Sequence, residues 1–228
     1  MPQLDEISRS LLDAQRRAED LFATVIESGV IAPGQLESEV SADIHALAQS
    51  RFGVRRHWHK RIARAGPNTV LTYHDEPKDR RIEDDDVVYL DFGPVFEEFE
   101  ADFGRTYALG ADPVKHKLVA DIESAFHRGK AYFQEHLDLT CGELYDYVVS
   151  LAGAAGWEFG NKTAGHLIGH FPHETAPGQP KPLSIRHGNE LRLRARDASG
   201  AQRHWILEIH FIDRARQIGG FFEELLTV

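Results

Sequence analysis

The sequence predicts an α+β fold in which helices cover a curved antiparallel sheet. Two observations predict this class. Apolar residues recur every three or four positions in four separate segments, as they do in amphipathic helices. The remaining apolar runs are short and are bounded by turn residues, as in antiparallel hairpins, and helices interspersed with hairpins are typical of α+β proteins. The chain has 228 residues, 42% of them hydrophobic, which suffices for one core, so we expect a single domain over residues 1–228.

Four helices are predicted from this periodicity and from helix-end signals. The helix-breaking pair Pro33-Gly34 separates the first two. The fourth begins with Thr140-Cys141-Gly142-Glu143, which fits a capping box, and Gly156 marks its end. The predicted helical segments are residues 4–28, 36–53, 118–132 and 140–155.

Strands are predicted where short apolar runs alternate with polar turns. The charged segment 78–86 and the turn Asp197-Ala198-Ser199-Gly200 separate several of them. The predicted strands are residues 62–65, 70–73, 87–92, 191–196, 204–212 and 221–228.

Composition excludes several classes of protein. The formal charge of −10 argues against a general nucleic-acid binder, because neutralising phosphates requires a basic surface. The basic stretch, residues 51–64, is the local exception and is interrupted by Trp58. It could contact an acidic partner, but we favour a solvated edge that flanks a strand.

The first residues are acidic and do not resemble a signal peptide, and no apolar run approaches the ~20 residues that a membrane span needs. We therefore expect a soluble, cytoplasmic protein with no membrane contact. The single cysteine, Cys141, has no partner for an internal disulfide and is interpreted as a packed thiol.

Two acidic residues interrupt strand-like segments and carry the first functional signal. Asp91 follows the buried run Val87 to Leu90, and Asp102 comes eleven residues later. A hairpin centred between residues 96 and 97 would place the two carboxylates opposite each other on one face. Such a pair is costly to bury without a compensating cation, so a divalent metal is the expected occupant.

A second hairpin repeats the arrangement. Glu208 lies in the apolar run 205–212, which implies burial on both faces of the sheet, and Glu223 follows beyond an Arg- and Gly-rich turn. Alternation places Glu208 and His210 on the same face. A salt bridge to Arg105, Arg194 or Arg214 would explain any one of these acids, but four acids at paired strand positions favour metal ligands.

A histidine cluster is the candidate source of the nitrogen ligand and of catalytic polar groups. His166, His170 and His173 lie among glycines and apolar residues, as expected where backbone packs closely around a site. Carboxylates together with one imidazole suit Mn, Fe(II), Co or Zn. The other histidines, such as His116, fall at polar positions of predicted surface helices.

The order of these residues resembles the methionine aminopeptidase and prolidase superfamily of metallopeptidases, which have the pita-bread fold. The resemblance covers residue 4 to the C-terminus. The family's ordered ligands are Asp, Asp, His, Glu and Glu. Their matches are Asp91 in Leu90-Asp91-Phe92-Gly93, Asp102 in Ala101-Asp102-Phe103-Gly104-Arg105-Thr106, His166 in Gly165-His166-x-x-Gly169, Glu208 and Glu223.

The resemblance implies a role for each matched residue. Asp102 and Glu223 bridge two metal ions, Asp91 holds one ion, and His166 with Glu208 holds the other. His173, seven residues after His166, matches a histidine that contacts the scissile carbonyl. His74, seventeen residues before Asp91, matches a substrate-binding histidine.

The sequence departs from the family pattern at a few positions. Proline-directed members carry a histidine four residues before the ligand histidine, where this chain has Lys162. Most members have proline after the fourth ligand, whereas Ile209 follows Glu208 here. Glu224 competes with Glu223 for the last position, and the aromatic-then-Glu order favours Glu223.

The resemblance implies a peptidase with two divalent metal ions (Mn, Co, Zn or Fe) that removes an N-terminal amino acid from a short peptide. Glu208 would accept a proton from the attacking water, while His74 and His173 would stabilise the oxyanion. The alternatives are a non-catalytic peptide- or protein-binding member of the same fold and a metal-independent hydrolase related to creatinase. The expected partner is a peptide substrate. The oligomeric state is open, with a homodimer among the options.

Overall fold

A computed structural model describes residues 5–172 and 183–228, in which four α-helices accompany strands that are all paired antiparallel. This is the α+β class that the sequence predicts. The helices are α1 (Glu6–Glu27), α2 (Glu37–Phe52), α3 (Pro113–Glu135) and α4 (Cys141–Ala155). The strands are β1 (Ile62–Ala65), β2 (Val87–Phe92), β3 (Val95–Phe96), β4 (Phe99–Glu100), β5 (Phe103–Ala108), β6 (Glu158–Phe159), β7 (Leu167–Ile168), β8 (His204–Asp213) and β9 (Ile218–Leu225).

Capping residues mark the helix ends. Asp5 caps α1 by accepting a hydrogen bond from the backbone N–H of Ser8 at 2.7 Å. Gly53 ends α2 in the left-handed conformation, with φ of 69°. The predicted capping box of Thr140 and Glu143 is confirmed at the start of α4. Within the described ranges, every helix is too short or too polar to span a bilayer.

The main sheet has the strand order β1-β2-β5-β9-β8-β6, and β7 pairs with β8 away from this path. Strands β3 and β4 form a separate small hairpin. Helices α3 and α4 pack on Leu207, Ile209 and Phe211 of β8, while α1 and α2 pack in a second core with Val88 and Leu90 of β2. Because side chains alternate along a strand, the residues between these apolar positions point to the opposite face.

Two of the predicted strands, residues 70–73 and residues 191–196, are wrong. Residues 66–70 form a 3₁₀-helix instead, and the chain then turns through residues 71–75. Pro67 lies at the start of that helix, and the hydroxyl of Thr69 donates to the carbonyl of Gly66 at 2.5 Å. Such local hydrogen bonds compete with strand pairing.

The segment 191–196 is also not a strand. Its backbone pairs with the start of α4, because Cys141 N–H donates to the Leu191 carbonyl and Leu193 N–H donates to the Leu139 carbonyl. A single bridge joins Arg192 to Thr140. The turn predicted at residues 197–200 is confirmed by backbone hydrogen bonds between Asp197 and the residues that follow it.

Candidate metal centre

One row of residues crosses four neighbouring strands of the main sheet. Asp91 of β2 pairs with Gly104 of β5, Gly104 pairs with Glu223 of β9, and Glu223 pairs with Glu208 of β8. Cross-strand partners point to the same face of a sheet. Three carboxylates therefore share the face opposite the helices. Gly104, between Asp91 and Glu223, has no side chain, and the Phe221 ring lies where its Cβ would be.

The register of the first hairpin differs from the predicted one. Phe92 pairs with Phe103 and Phe96 pairs with Phe99, so the hairpin is centred between residues 97 and 98, one residue later than predicted. Glu97 takes a positive φ of 57°, which sets a tight two-residue turn. The direct opposition of Asp91 and Asp102 is therefore wrong, and Asp91 lies opposite Gly104.

Asp102 nevertheless lies beside Asp91, because it precedes β5 and its side chain reaches the same face. Asp102 is 4% exposed, and its carboxylate lies between two imidazole rings. His59 Nε2 is 3.0 Å from its Oδ1, and His166 Nε2 is 3.1 Å from its Oδ2. His59 Nε2 is also 3.5 Å from Asp91 Oδ1.

His59 is the site residue that the sequence interpretation missed. It belongs to the basic stretch, which was interpreted as a solvated edge, yet its side chain is only 7% exposed. Trp58, an apolar ring within a charged run, was the available signal that this part of the stretch is not solvated. Arg64 of the same stretch is also buried and bonds to Tyr89 Oη and the Leu71 carbonyl.

Glu208 and Glu223 lie side by side in the row, but their partners differ. Glu208 Oε1 accepts a hydrogen bond from Thr163 Oγ1 at 3.0 Å. Glu223 is 2% exposed, and its Oε2 has no hydrogen-bond partner among the described residues. The competing candidate, Glu224, points away from the row and forms an ion pair with Arg105.

Burial raises the pKa of three of the four carboxyl groups. For Asp91 the pKa rises from 3.8 to about 7, because burial and the nearby charges of Asp102 and Glu208 outweigh the attraction of His59. The pKa values of Glu208 and Glu223 are also raised, first by burial and then by neighbouring carboxylates. These carboxylates are therefore costly to ionise together without a cation.

The two histidines provide part of the missing positive charge. Burial acts to lower the pKa of His59 and His166, but Asp102 outweighs it and raises both values to about 9. Burial acts to raise the pKa of Asp102, yet the charges and hydrogen bonds of the same histidines lower it below its ordinary range. Asp102 is thus the carboxylate at which positive charge is concentrated.

The donor atoms fit divalent metal ions. Two triplets have their ligand atoms within 4.8 Å of one another, one made of His59, Asp91 and Asp102 and the other of Asp102, His166 and Glu223. They share Asp102. The closeness of these ligand atoms and the Oε2 of Glu223, which has no hydrogen-bond partner among the described residues, are compatible with a bound cation, which would offset the cost of ionising these carboxylates together.

These groups line a cavity with a volume of about 440 Å³. Its other wall is formed by Ile62, Tyr89 and Phe221, a small apolar cluster on the same face of the sheet. His74, predicted as a substrate-binding residue, lines this cavity with an exposed side chain. His173, the other predicted substrate contact, lies outside the described residues.

The chain belongs to metallopeptidase family M24, because the sequence profile of that family matches residues 9–197. The chain is therefore a member of a family of hydrolases. Among curated relatives, an Xaa-Pro dipeptidase from Pyrococcus horikoshii is 28% identical over 145 residues, which are 63% of this chain and 40% of that protein. A methionine aminopeptidase from Clostridium perfringens is 31% identical over 104 residues, which are 44% of this chain and 40% of that protein. The aligned part is thus about 40% of each relative's length.

Solved structures establish the fold. The prolidase from Thermococcus sibiricus superposes with a TM-score of 0.74 at 19% identity, over 95% of this chain and 55% of that chain. The Xaa-Pro dipeptidase from Bacillus anthracis gives a TM-score of 0.74 at 23% identity, over 99% of this chain and 61% of that chain. The predicted pita-bread fold and the resemblance to this superfamily are confirmed.

Proposed function

We propose that residues 1–228 form a catalytic domain that removes the N-terminal amino acid from short peptides, using two divalent metal ions. The observation that carries this proposal is the row of carboxylates facing the cavity, with Asp102 held between two imidazoles. Carboxylate and imidazole ligands together are compatible with Mn, Fe(II), Co or Zn.

Five residues would hold the two ions. Asp91 would hold one ion, His166 and Glu208 would hold the other, and Asp102 and Glu223 would bridge them. The two oxygens of Asp102 point in different directions, each toward a different imidazole, which supports a bridging position for this carboxylate. Glu223 lies between Gly104 and Glu208 in the row, which supports a bridging position for it as well. When bound, such ions supply Lewis acidity and a water molecule of lowered pKa.

The residues around the ions would position the peptide, accept a proton from the attacking water and stabilise the oxyanion. Glu208 is the proposed proton acceptor, since its carboxylate faces the cavity and lies in the row beside Glu223, where Thr163 Oγ1 and the Gly165 backbone N–H orient it by hydrogen bonds. His74 at the cavity wall, together with His173, is proposed to stabilise the developing oxyanion. The negative row would attract the free amino terminus of the peptide, and the apolar wall opposite would contact its first side chain.

The test is metal analysis combined with a peptide panel. The purified protein would be stripped with a chelator, reloaded with Mn, Co or Zn, and assayed on dipeptides and tripeptides with Met, Pro and other residues around the scissile bond. We expect two metal equivalents and chelator-sensitive release of the N-terminal residue. Asp102→Ala should lose both metal uptake and hydrolysis, whereas Asp138→Ala, which removes an exposed acid paired with Arg192, should retain both.

Two results would count against this function. If Asp102→Ala retained two metal ions and full activity, the assignment of the centre would be wrong. If the metal-loaded protein bound peptides but left every peptide of the panel intact, the non-catalytic binding function would be the better account.

A further inference from the structure

His59 and His166 lie around Asp102 in matching ways. In each ring, Nδ1 is 2.7 Å from the backbone carbonyl oxygen of the next residue, Lys60 or Leu167. In each ring, Nε2 points to one oxygen of Asp102, at 3.0 Å for His59 and 3.1 Å for His166. The two histidines thus make the same contacts to backbone and to Asp102, although only His166 belongs to the five proposed ligands.

The backbone contact fixes which nitrogen is available to a metal ion. A carbonyl oxygen only accepts hydrogen bonds, so Nδ1 of His59 must carry a proton and donate it to Lys60. That leaves Nε2 to face the carboxylates of Asp91 and Asp102. A hydrogen bond from the far ring nitrogen to a backbone carbonyl is the usual way in which metal-binding histidines are oriented.

The distances around His59 Nε2 suit a shared metal ion. It lies 3.0 Å from Asp102 Oδ1 and 3.5 Å from Asp91 Oδ1. Ligand atoms bound to one ion with bonds of about 2.0–2.2 Å lie roughly 3–3.5 Å from one another. The triplet therefore needs little rearrangement to enclose an ion.

Contacts of the neighbouring residues fix the position of His59. Trp58, the residue before it, is fixed to the segment that follows β2, since Trp58 N–H donates to the Gly93 carbonyl at 2.9 Å. The Trp58 indole N–H donates to the Ala101 carbonyl at 3.0 Å, and its ring lies edge-on to His59. A Cβ at Gly93 would come within 2.2 Å of the His59 ring, so glycine is required there for the histidine to approach.

We propose that His59 is a sixth protein ligand, which binds through Nε2 to the metal ion shared by Asp91 and Asp102. This inference rests on the metal centre of the proposed function and adds a nitrogen donor to its first metal position. Each of the two positions then has one imidazole. Nitrogen in both positions favours Zn, Co or Fe(II) over ions that prefer oxygen alone, such as Mn or Mg.

The direct test is NMR on protein that carries ¹⁵N-labelled histidine and is loaded with ¹¹³Cd. We expect two histidine Nε2 signals to show coupling to cadmium, one of them absent in His59→Gln. The matched control is His57→Gln, which replaces a half-buried histidine of the same segment that faces His45 and Phe92. Both couplings should persist in that control.

Stepwise Co(II) titration followed by visible absorption provides the affinity readout. Loss of one ligand in His59→Ala and His59→Gln should weaken one of the two binding steps at least 10-fold and leave the other within about 3-fold. The preference for Zn over Mn should fall by a similar factor. Thermal unfolding of the metal-free variants checks that they are folded, and the isosteric glutamine variant serves if alanine is too disruptive.

The results separate this inference from the proposed function. If the folded His59 variants gave the same Co(II) titration and the same cadmium-coupled spectra as the wild type, His59 would not be a ligand. Equal weakening of both steps, as expected if His59 only hydrogen-bonds Asp102, would also overturn it. A wild-type protein that binds two ions with the expected coupling but hydrolyses no peptide would refute the proposed function and leave the His59 ligand established, whereas one that binds no metal would refute both.

Discussion

Glu223 and Glu224 are neighbours on β9 with opposite surroundings, and replacing each by glutamine tests the assignment of the centre. Glu223 lies in the carboxylate row, almost fully buried, with one oxygen that has no partner in the described part of the chain. Glu224 forms an ion pair with Arg105, whose guanidinium carbon is 3.8 Å from the ring centroids of Phe103 and Phe222. The two substitutions should therefore have different effects on stability and on metal binding.

The expected cost of Glu224→Gln is in folding stability. Removing one partner of a buried ion pair costs about 3–5 kcal/mol. The Glu224 side chain is 14% exposed, and Arg105 keeps hydrogen bonds to the carbonyls of Gly104 at 2.8 Å and Glu223 at 3.2 Å. We therefore expect a smaller loss of about 2 kcal/mol, which lowers the melting temperature by about 4–8 °C for a chain of this size. Metal affinity should remain within about 3-fold, as for any residue outside the centre.

The expected cost of Glu223→Gln is in metal binding. The substitution replaces a buried carboxyl group whose pKa is raised by burial and by its carboxylate neighbours, so its ionised form is costly in the metal-free protein. The metal-free protein should therefore be as stable as the wild type or more stable. Loss of a bridging ligand should reduce metal affinity at least 100-fold, or about 2.7 kcal/mol.

Urea unfolding of the metal-free proteins and calorimetric titration with Zn or Co would measure both quantities. The two variants differ by one position and carry the same substitution, so each serves as the control for the other. The assignment of the final ligand would be refuted if Glu224→Gln lost the metal while Glu223→Gln retained it.

Three further predictions concern the same face of the sheet. Gly104→Ala adds a Cβ within 2.5 Å of the Phe221 ring, so we expect a loss of about 1–3 kcal/mol in urea unfolding together with weaker metal binding; unchanged values would contradict the close packing. In the metal-free protein, the folded-state pKa of Asp91 is raised to about 7 and that of His59 to about 9. Both groups bind protons more tightly in the folded state than in the unfolded state, so the free energy of unfolding should fall as pH rises from about 4 to 9. Urea midpoints measured at each pH should fall less steeply below about pH 7 in Asp91→Asn than in the wild type. An equally steep fall in the variant would count against the raised pKa of Asp91. If the proposed function is correct, His74→Ala should lower kcat about 10²- to 10³-fold in the metal-loaded protein with metal content unchanged, and full activity would refute a substrate-contacting role for His74.

Local sequence signals were sufficient for most helices and for the strands that carry the acids. Predicted strands at residues 62–65 and 87–92 match β1 and β2, and the capping box places the start of α4. These features depend on neighbouring residues, namely hydrophobic period and end caps. An acid within a buried apolar run is also a local signal, which is why Asp91 and Glu208 stood out.

Tertiary structure decided the register of the first hairpin and the surroundings of the carboxylates. The positive φ of Glu97 shifts the hairpin by one residue, and Gly104 takes the place opposite Asp91 that the sequence had suggested for Asp102. The wrong strand prediction at residues 70–73 has a tertiary cause as well as the local one, since Thr69 of the preceding 3₁₀-helix accepts hydrogen bonds from His210 of β8 and Gly219 of β9. The hydrophobic periodicity of these segments carries no information about such long-range contacts.

The sequence by itself determined which residues are carboxylates in buried strands and, through their order, the family to which the chain belongs. Only the tertiary structure brought His59 to Asp102. The backbone of residues 56–58 pairs with residues 93–95, and glycine at position 93 leaves room for the ring. Hydrogen bonds between two short segments, 37 residues apart, leave no repeating pattern in either one, so the sequence alone did not show that His59 is buried at the site.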